Sequence, residues 1–182
     1  MAGKMRPTKK PDDPEAARQY ATWLLSGRPR TARELRDAMV RKGFDVEMVD
    51  EIVDRYANVG MIDDALFAKM WVDSRHRGRG LSRSALRSEL RRKGVEDEHI
   101  QEAVDSVTAE SEREAAKAIA QRKFRSVARL EEPVIVRRLV GALARRGYGP
   151  GVAIPVVKEV LAEAELEAAE ELREEDFETP HD

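Results

Sequence analysis

The sequence contains no cysteine in 182 residues. Disulfide scaffolds, thiolate metal sites and cysteine nucleophiles are therefore excluded. Aromatics make up only 5%, and Thr, Tyr, Phe and Ile, the residues strands favour, are few; an all-β fold is not expected. Eleven Gly and eight Pro leave room for long uninterrupted helices. No apolar run approaches the roughly 18 residues of a membrane span. Residues 1–14 are polar and basic, without the apolar centre of a secretory signal. A cytoplasmic protein that does not touch membranes is expected.

Chemistry-bearing clusters are also missing. His76, His99 and His181 are isolated. There is no metal-ligand spacing, no Ser/His/Asp order and no phosphate-binding Gly loop. The expectation is a protein that is not an enzyme and needs neither cofactor nor metal.

What is abundant is charge. Asp, Glu, Lys and Arg reach 37%, against roughly 25% in an average globular protein. The net charge of −2 hides an asymmetry: residues 163–182 hold ten acids and one Arg, a sum of −9, which leaves +7 for residues 1–162. A basic body with an acidic tail suits an anionic partner, either nucleic acid or an acidic protein surface.

Three strings are alike: Leu35-Arg36 through Arg41-Lys42-Gly43, Leu86-Arg87 through Arg92-Lys93-Gly94, and Leu139 through Arg145-Arg146-Gly147. Their glycines are 51 and 53 residues apart. The same offsets carry Leu35 and Met39 to Leu86 and Leu90, then to Leu139 and Leu143. Downstream they carry Val49, Ile52, Val53 and Tyr56 to Ile100, Ala103, Val104 and Val107, then to Ala153, Val156, Val157 and Val160. Upstream, Tyr20 maps to Trp71 and Phe124. The downstream stripe has the i, i+3, i+4, i+7 spacing of one helix face in every copy.

Each copy reads as three helices. Thr31 and Glu34 have the spacing of a capping box. Gly43, Gly94 and Gly147 suit the left-handed turn that ends a helix, and the basic pairs before them complement its dipole. Helices are expected near 15–26, 31–42, 45–58, 63–77, 82–93, 96–108, 110–125, 133–146 and 152–172. Gly149, Pro150, Gly151 and Pro155 crowd the start of the last, which should begin late or kink. Small units of about 50 residues lean on their neighbours. The expected fold is all-α: three tandem three-helix repeats over 15–60, 61–108 and 109–164, forming an elongated, curved array. A basic flexible tail is expected over 1–14, and an acidic tail over 165–182, disordered from Arg173 onward.

The junction of the first two repeats reads Gly60-Met61-Ile62-Asp63-Asp64-Ala65-Leu66-Phe67-Ala68, followed by Gly80-Leu81-Ser82-Arg83 and by Arg92-Lys93-Gly94. This combination resembles the RecX family of bacterial recombination regulators. In that family a Gly-Leu/Ile-Asp-Asp-x-x-Phe/Tyr-Ala string opens the central unit and a basic stretch ending in Lys-Gly follows. The resemblance covers about residues 15–163 and leaves both tails outside. It implies three tandem three-helix units. It also implies binding of the RecA–DNA filament in its groove, inhibition of RecA ATPase, strand exchange and coprotease activity, and so control of DNA repair, recombination and the SOS response.

The densest charge offers the candidate partner site. Arg75, Arg77, Arg79, Arg83, Arg87, Arg91, Arg92 and Lys93 stand against one acid, Glu89. Arg83, Arg87 and Arg91 recur every four residues and share a helix face. So many like charges repel one another unless an anion screens them. The patch suits filament carboxylates, DNA phosphate, or both, and its plain alternative is a solvated helix face. An autonomous protein that binds single- or double-stranded DNA through this face is the second functional reading. The segment Arg77-Gly78-Arg79-Gly80 reads as an interhelix loop, Asp63 and Asp64 as helix caps, and Trp23 and Trp71 as core. A monomer is expected.

Overall fold

The computed structural model describes residues 11–178. Among them are nine helices and no strand: α1 Pro14–Gly27, α2 Ala32–Lys42, α3 Val46–Asn58, α4 Asp64–Arg79, α5 Arg83–Arg92, α6 Asp97–Asp105, α7 Ala109–Arg125, α8 Glu132–Ala144 and α9 Pro150–Glu178. All eighteen positions aligned above on α2, α3 and their counterparts are buried, and Leu35, Met39, Leu86, Leu90, Leu139 and Leu143 are fully so. Tyr20, Trp71 and Phe124 are half-buried. The repeat in the sequence is a repeat of the core.

Two helix ends depart from expectation. Helix α4 continues through Arg77 and Gly78 to Arg79, so this segment is helix rather than loop. Gly80, at φ 61°, ends it. Helix α9 starts earlier than expected, at Pro150, where the missing N–H has no partner to lose, and carries Pro155 inside it. It also runs on to Glu178 instead of ending before Arg173, because Ala, Glu and Leu are strong helix formers. Glu163, the first acid of that stretch, accepts from Lys117 at 2.5 Å and Gln121 at 3.3 Å on α7. Of the basic tail expected over 1–14, only the last four residues are described. Pro11 O accepts from the Asp45 N–H at 3.1 Å, and Asp13 caps α1. His181 lies outside the described residues.

The helices pack as two compact units: Met1–Asp73 with Arg87–Ser106, and Ser74–Leu86 with Val107–Asp182. These units cut across the sequence repeats. Each has its own apolar centre, one around Leu35, Met39 and Val49, the other around Leu139, Leu143 and Val156.

Each unit contains the same joint between consecutive repeats. In the first, the Thr31 hydroxyl donates to Lys93 O at 2.6 Å, and Asp64 accepts from Ala32 N at 2.9 Å. In the second, Ser82 N donates to Arg146 O at 3.0 Å, and Glu112 accepts from Arg83 N at 2.8 Å. The start of one repeat's middle helix is thus closed by the end of the next repeat's middle helix and by a carboxylate from the helix before it. Thr31 and Ser82 are fully buried polar side chains. Gly94 and Gly147, at φ 80° and 86°, make the approach possible. A Cβ on Gly94 would lie 2.5 Å from Arg33 Cβ, and one on Gly147 would lie 2.6 Å from Ser82 Oγ and 2.7 Å from Ala85 Cβ. The turn after each glycine is closed by Phe44, Val95 or Tyr148, whose N–H reaches back to Met39, Leu90 or Leu143 and whose side chain is buried.

Gly147→Ala should therefore destabilise the protein by about 3 kcal/mol, combining backbone strain with overpacking. Gly60→Ala, also at positive φ but in open space, should lose only about 1 kcal/mol. Equal losses in urea unfolding would remove the joint from the explanation.

Tyr148 gives a pH-dependent test. Its hydroxyl donates to Gly80 O at 3.0 Å, and burial pushes the phenol from 10.0 up to about 12. Tyr148→Phe should lower stability by about 1 kcal/mol at pH 7. A group whose pKa is raised on folding contributes fully below its unfolded value and loses that contribution as pH climbs to the folded one. The gap between wild type and Tyr148→Phe should hold to pH 10 and narrow towards pH 12. A gap that widened there would reverse the assignment.

Candidate functional site

The eight basic residues of the candidate patch lie on the second half of α4 and on α5 with the residue that follows it. Arg87, Arg91, Arg92 and Lys93 belong to the first packing unit; Arg75, Arg77, Arg79 and Arg83 belong to the second. Arg77, Arg79, Arg91 and Arg92 are exposed, while Arg75, Arg83 and Arg87 are half-buried. The four-residue spacing of Arg83, Arg87 and Arg91 runs along one continuous helix, α5. Arg87 donates to Gln101 at 3.2 Å, and Arg91 pairs with Asp97 at 2.9 Å. Both contacts are surface contacts of small net stability, and an anionic partner can displace them.

Lys93 is different. Its side chain is only 17% exposed, and its ammonium donates to Glu34 at 2.6 Å. It also lies 4.1 Å over the Trp71 ring and 5.4 Å over Phe67. Burial alone would raise the Glu34 carboxyl, but hydrogen bonds from Lys93 and Arg28 outweigh it and hold the group below its ordinary value. Trp71 in turn donates its indole N–H to Glu89, the one acid of the patch, at 2.9 Å. The aligned Lys42 lies 5.5 Å over Tyr20 in the same way. Lys93 ties α2, α4 and α5 together and is engaged inside its unit. For the same reason Glu34 does not complete the capping box: Thr31 accepts from Glu34 N at 3.1 Å, but the Glu34 carboxylate is taken by Lys93 and Arg28.

The paired acids divide their work. Asp63 caps its own helix, accepting from Leu66 N at 2.8 Å. Asp64 instead caps α2 through Ala32 and is itself raised, chiefly by burial. His76 donates its Nδ1 proton to Leu81 O at 3.0 Å, since a carbonyl can only accept. His99 is half-buried. Among the described residues no group of His, Asp and Glu is arranged to hold a metal, and no helix is long and apolar enough to cross a membrane.

The first unit carries one feature that periodicity did not distinguish from core. Trp23, read above as core, is 62% exposed. It stacks on Tyr20 at a centroid distance of 5.6 Å. Leu66, Met70 and Met61 are each about half exposed. With Leu25 they line a shallow cavity of about 450 Å³, and Arg28 and Arg30 stand on its rim. Apolar residues at helical spacing read alike whether a face meets core or solvent. The only available signal was that Trp23, Leu66 and Met70 fall outside the positions shared by all three repeats.

Comparison with known proteins follows this architecture. Residues 17–55, 63–104 and 110–156 match the first, second and third three-helix domains of RecX respectively. The regulatory protein RecX of Streptomyces lividans is 45% identical over 168 residues, covering 92% of this chain and 89% of its own. That of Amycolatopsis mediterranei is 44% identical over 147 residues, covering 81% and 84%. The fold is similar to the crystal structure of RecX from Lactobacillus salivarius, with a TM-score of 0.72 at 16% identity over 81% of this chain and 96% of that one. Three domain matches in order, joined by the repeated glycine joints and by relatives of nearly the same extent, place this chain in the RecX family of regulatory proteins.

Proposed function

We propose that this chain regulates recombination by binding the RecA–DNA filament in its groove and lowering RecA ATPase, strand exchange and coprotease activity. It acts as a binding protein rather than an enzyme, and it works in the compartment where the filament forms. Family membership supports the reading. The observation that favours a protein partner over bare DNA alone is the exposed apolar surface of Met61, Leu66 and Met70, which line one cavity. Clustered apolar side chains rimmed by polar ones mark protein contacts, and a phosphate backbone offers them nothing to bury. The exposed arginines, Arg77 and Arg79 in one unit and Arg91 and Arg92 in the other, supply the charge that meets filament carboxylates and DNA phosphate.

The direct test is RecA ATPase on single-stranded DNA with and without the full chain, and inhibition is expected. Leu66→Ala combined with Met70→Ala should raise the concentration for half-inhibition about tenfold, the loss of one modest interface anchor, without unfolding the protein. Wild-type inhibition by that variant would discard the apolar surface as a contact.

Replacing Arg83, Arg87 and Arg91 together with Ala, the best helix former, should preserve α5 while weakening inhibition. Undiminished inhibition would return these arginines to a solvated face.

A further inference from the structure

The second packing unit contains a basic pocket outside the patch considered above. Arg122 and Lys123, in the last turn of α7, and Arg145 and Arg146, after the end of α8, line one cavity of about 350 Å³. Its remaining walls are Ile119 and the buried Ala142. Among the described residues none of these four cations meets a carboxylate. Arg146 is held by its Nε–H donating to Arg79 O and an Nη1–H donating to Ala142 O, both at 3.1 Å. These bonds leave three of its five donors available while fixing the plane of the guanidinium.

A cation at a helix C-terminus is ordinary, because it offsets the carbonyl end of the dipole. One per helix would serve, and here two per helix converge on a single cavity. Without an anion between them they repel one another. The cavity has room for one tetrahedral oxyanion with its attached sugar and is too small for a helix or folded segment. Its apolar walls, Ile119 and Ala142, add no hydrogen-bonding side chain to the four cations.

We propose that Arg122, Lys123, Arg145 and Arg146 form a binding pocket for a phosphate of the nucleic-acid backbone, engaged without regard to sequence. Guanidinium forks match phosphate oxygens in pairs, and Lys123 adds a point charge. The pocket acts on bare DNA in the absence of RecA, so it stands or falls separately from the regulatory function above.

The test uses the full chain alone with fluorescently labelled duplexes of two unrelated sequences, with affinity followed across salt. Arg122→Ala combined with Arg145→Ala removes two exposed side chains, and circular dichroism checks that the helices are intact. The variant should bind both duplexes more weakly. The slope of log affinity against log salt should fall by about 0.9, the value for one phosphate contact. A measurement needing no variant follows the Ile119 methyl resonance of the wild-type protein, which should shift on adding duplex. Inorganic phosphate is titrated in parallel. A shift with phosphate but none with duplex would make the pocket a small-oxyanion site and overturn the proposal. An unmoved methyl with duplex, or an unchanged salt slope in the folded variant, would overturn it equally. Loss with one duplex only would refute sequence independence.

Discussion

The buried hydroxyl at the head of each of the first two middle helices is the constraint on which the repeated architecture depends. A polar side chain fully removed from water destabilises the fold unless it is hydrogen-bonded. Thr31 solves this by meeting Lys93 O, and Ser82 by capping its own helix while its N–H meets Arg146 O. The partner arrives only because a glycine follows it in the left-handed conformation, with no Cβ to hold the backbones apart. Asp64 and Glu112 each accept from one further N–H, of Ala32 and Arg83 respectively. Individual three-helix groups have small cores, so these joints supply burial that a single repeat lacks.

Much of this was legible in the sequence. The glycine spacing and the eighteen aligned apolar positions marked the repeat, and every one of those positions is buried. The nine helices followed from the same periodicity. What stayed hidden was long-range chemistry. Thr31 and Glu34 satisfied a local motif, yet the Glu34 carboxylate serves Lys93, 59 residues away. Asp63 and Asp64 looked equivalent, and only three-dimensional packing separates the local cap from the one that reaches α2. Trp23 looked like core because periodicity records apolarity and not which face finds a neighbour. Arg77 and Arg79 looked like loop residues because the two glycines beside them obscured a helix that ends only at Gly80.

Charge within the chain falls into two kinds. Some is internal mortar: Lys93 with Glu34, Lys117 with Glu159 and Glu163, Arg113 with Glu159. The last three lash α7 to the acidic helix α9, so part of the acidity that dominates the C-terminus balances basic residues of the same repeat. Other basic residues are exposed, among them Arg77, Arg79, Arg91 and Arg92 on α4 and α5, and Arg122 and Arg145 at the ends of α7 and α8. This division explains how a chain with a net charge of −2 keeps cationic side chains on its surface.

The head of the third middle helix is built differently. The third repeat's middle helix begins a turn earlier than the others, and the position aligned with Thr31 and Ser82 is Ile135, a buried core residue inside α8. Its own N-cap, Glu131, makes no side-chain cap hydrogen bond. The Ile135 N–H is taken by Glu131 O at 3.1 Å, so this position offers neither a hydroxyl like that of Thr31 nor an outward N–H like that of Ser82. The first two modules each turn a donor at the head of the middle helix towards the following repeat, whereas the third closes the same position within its own helix.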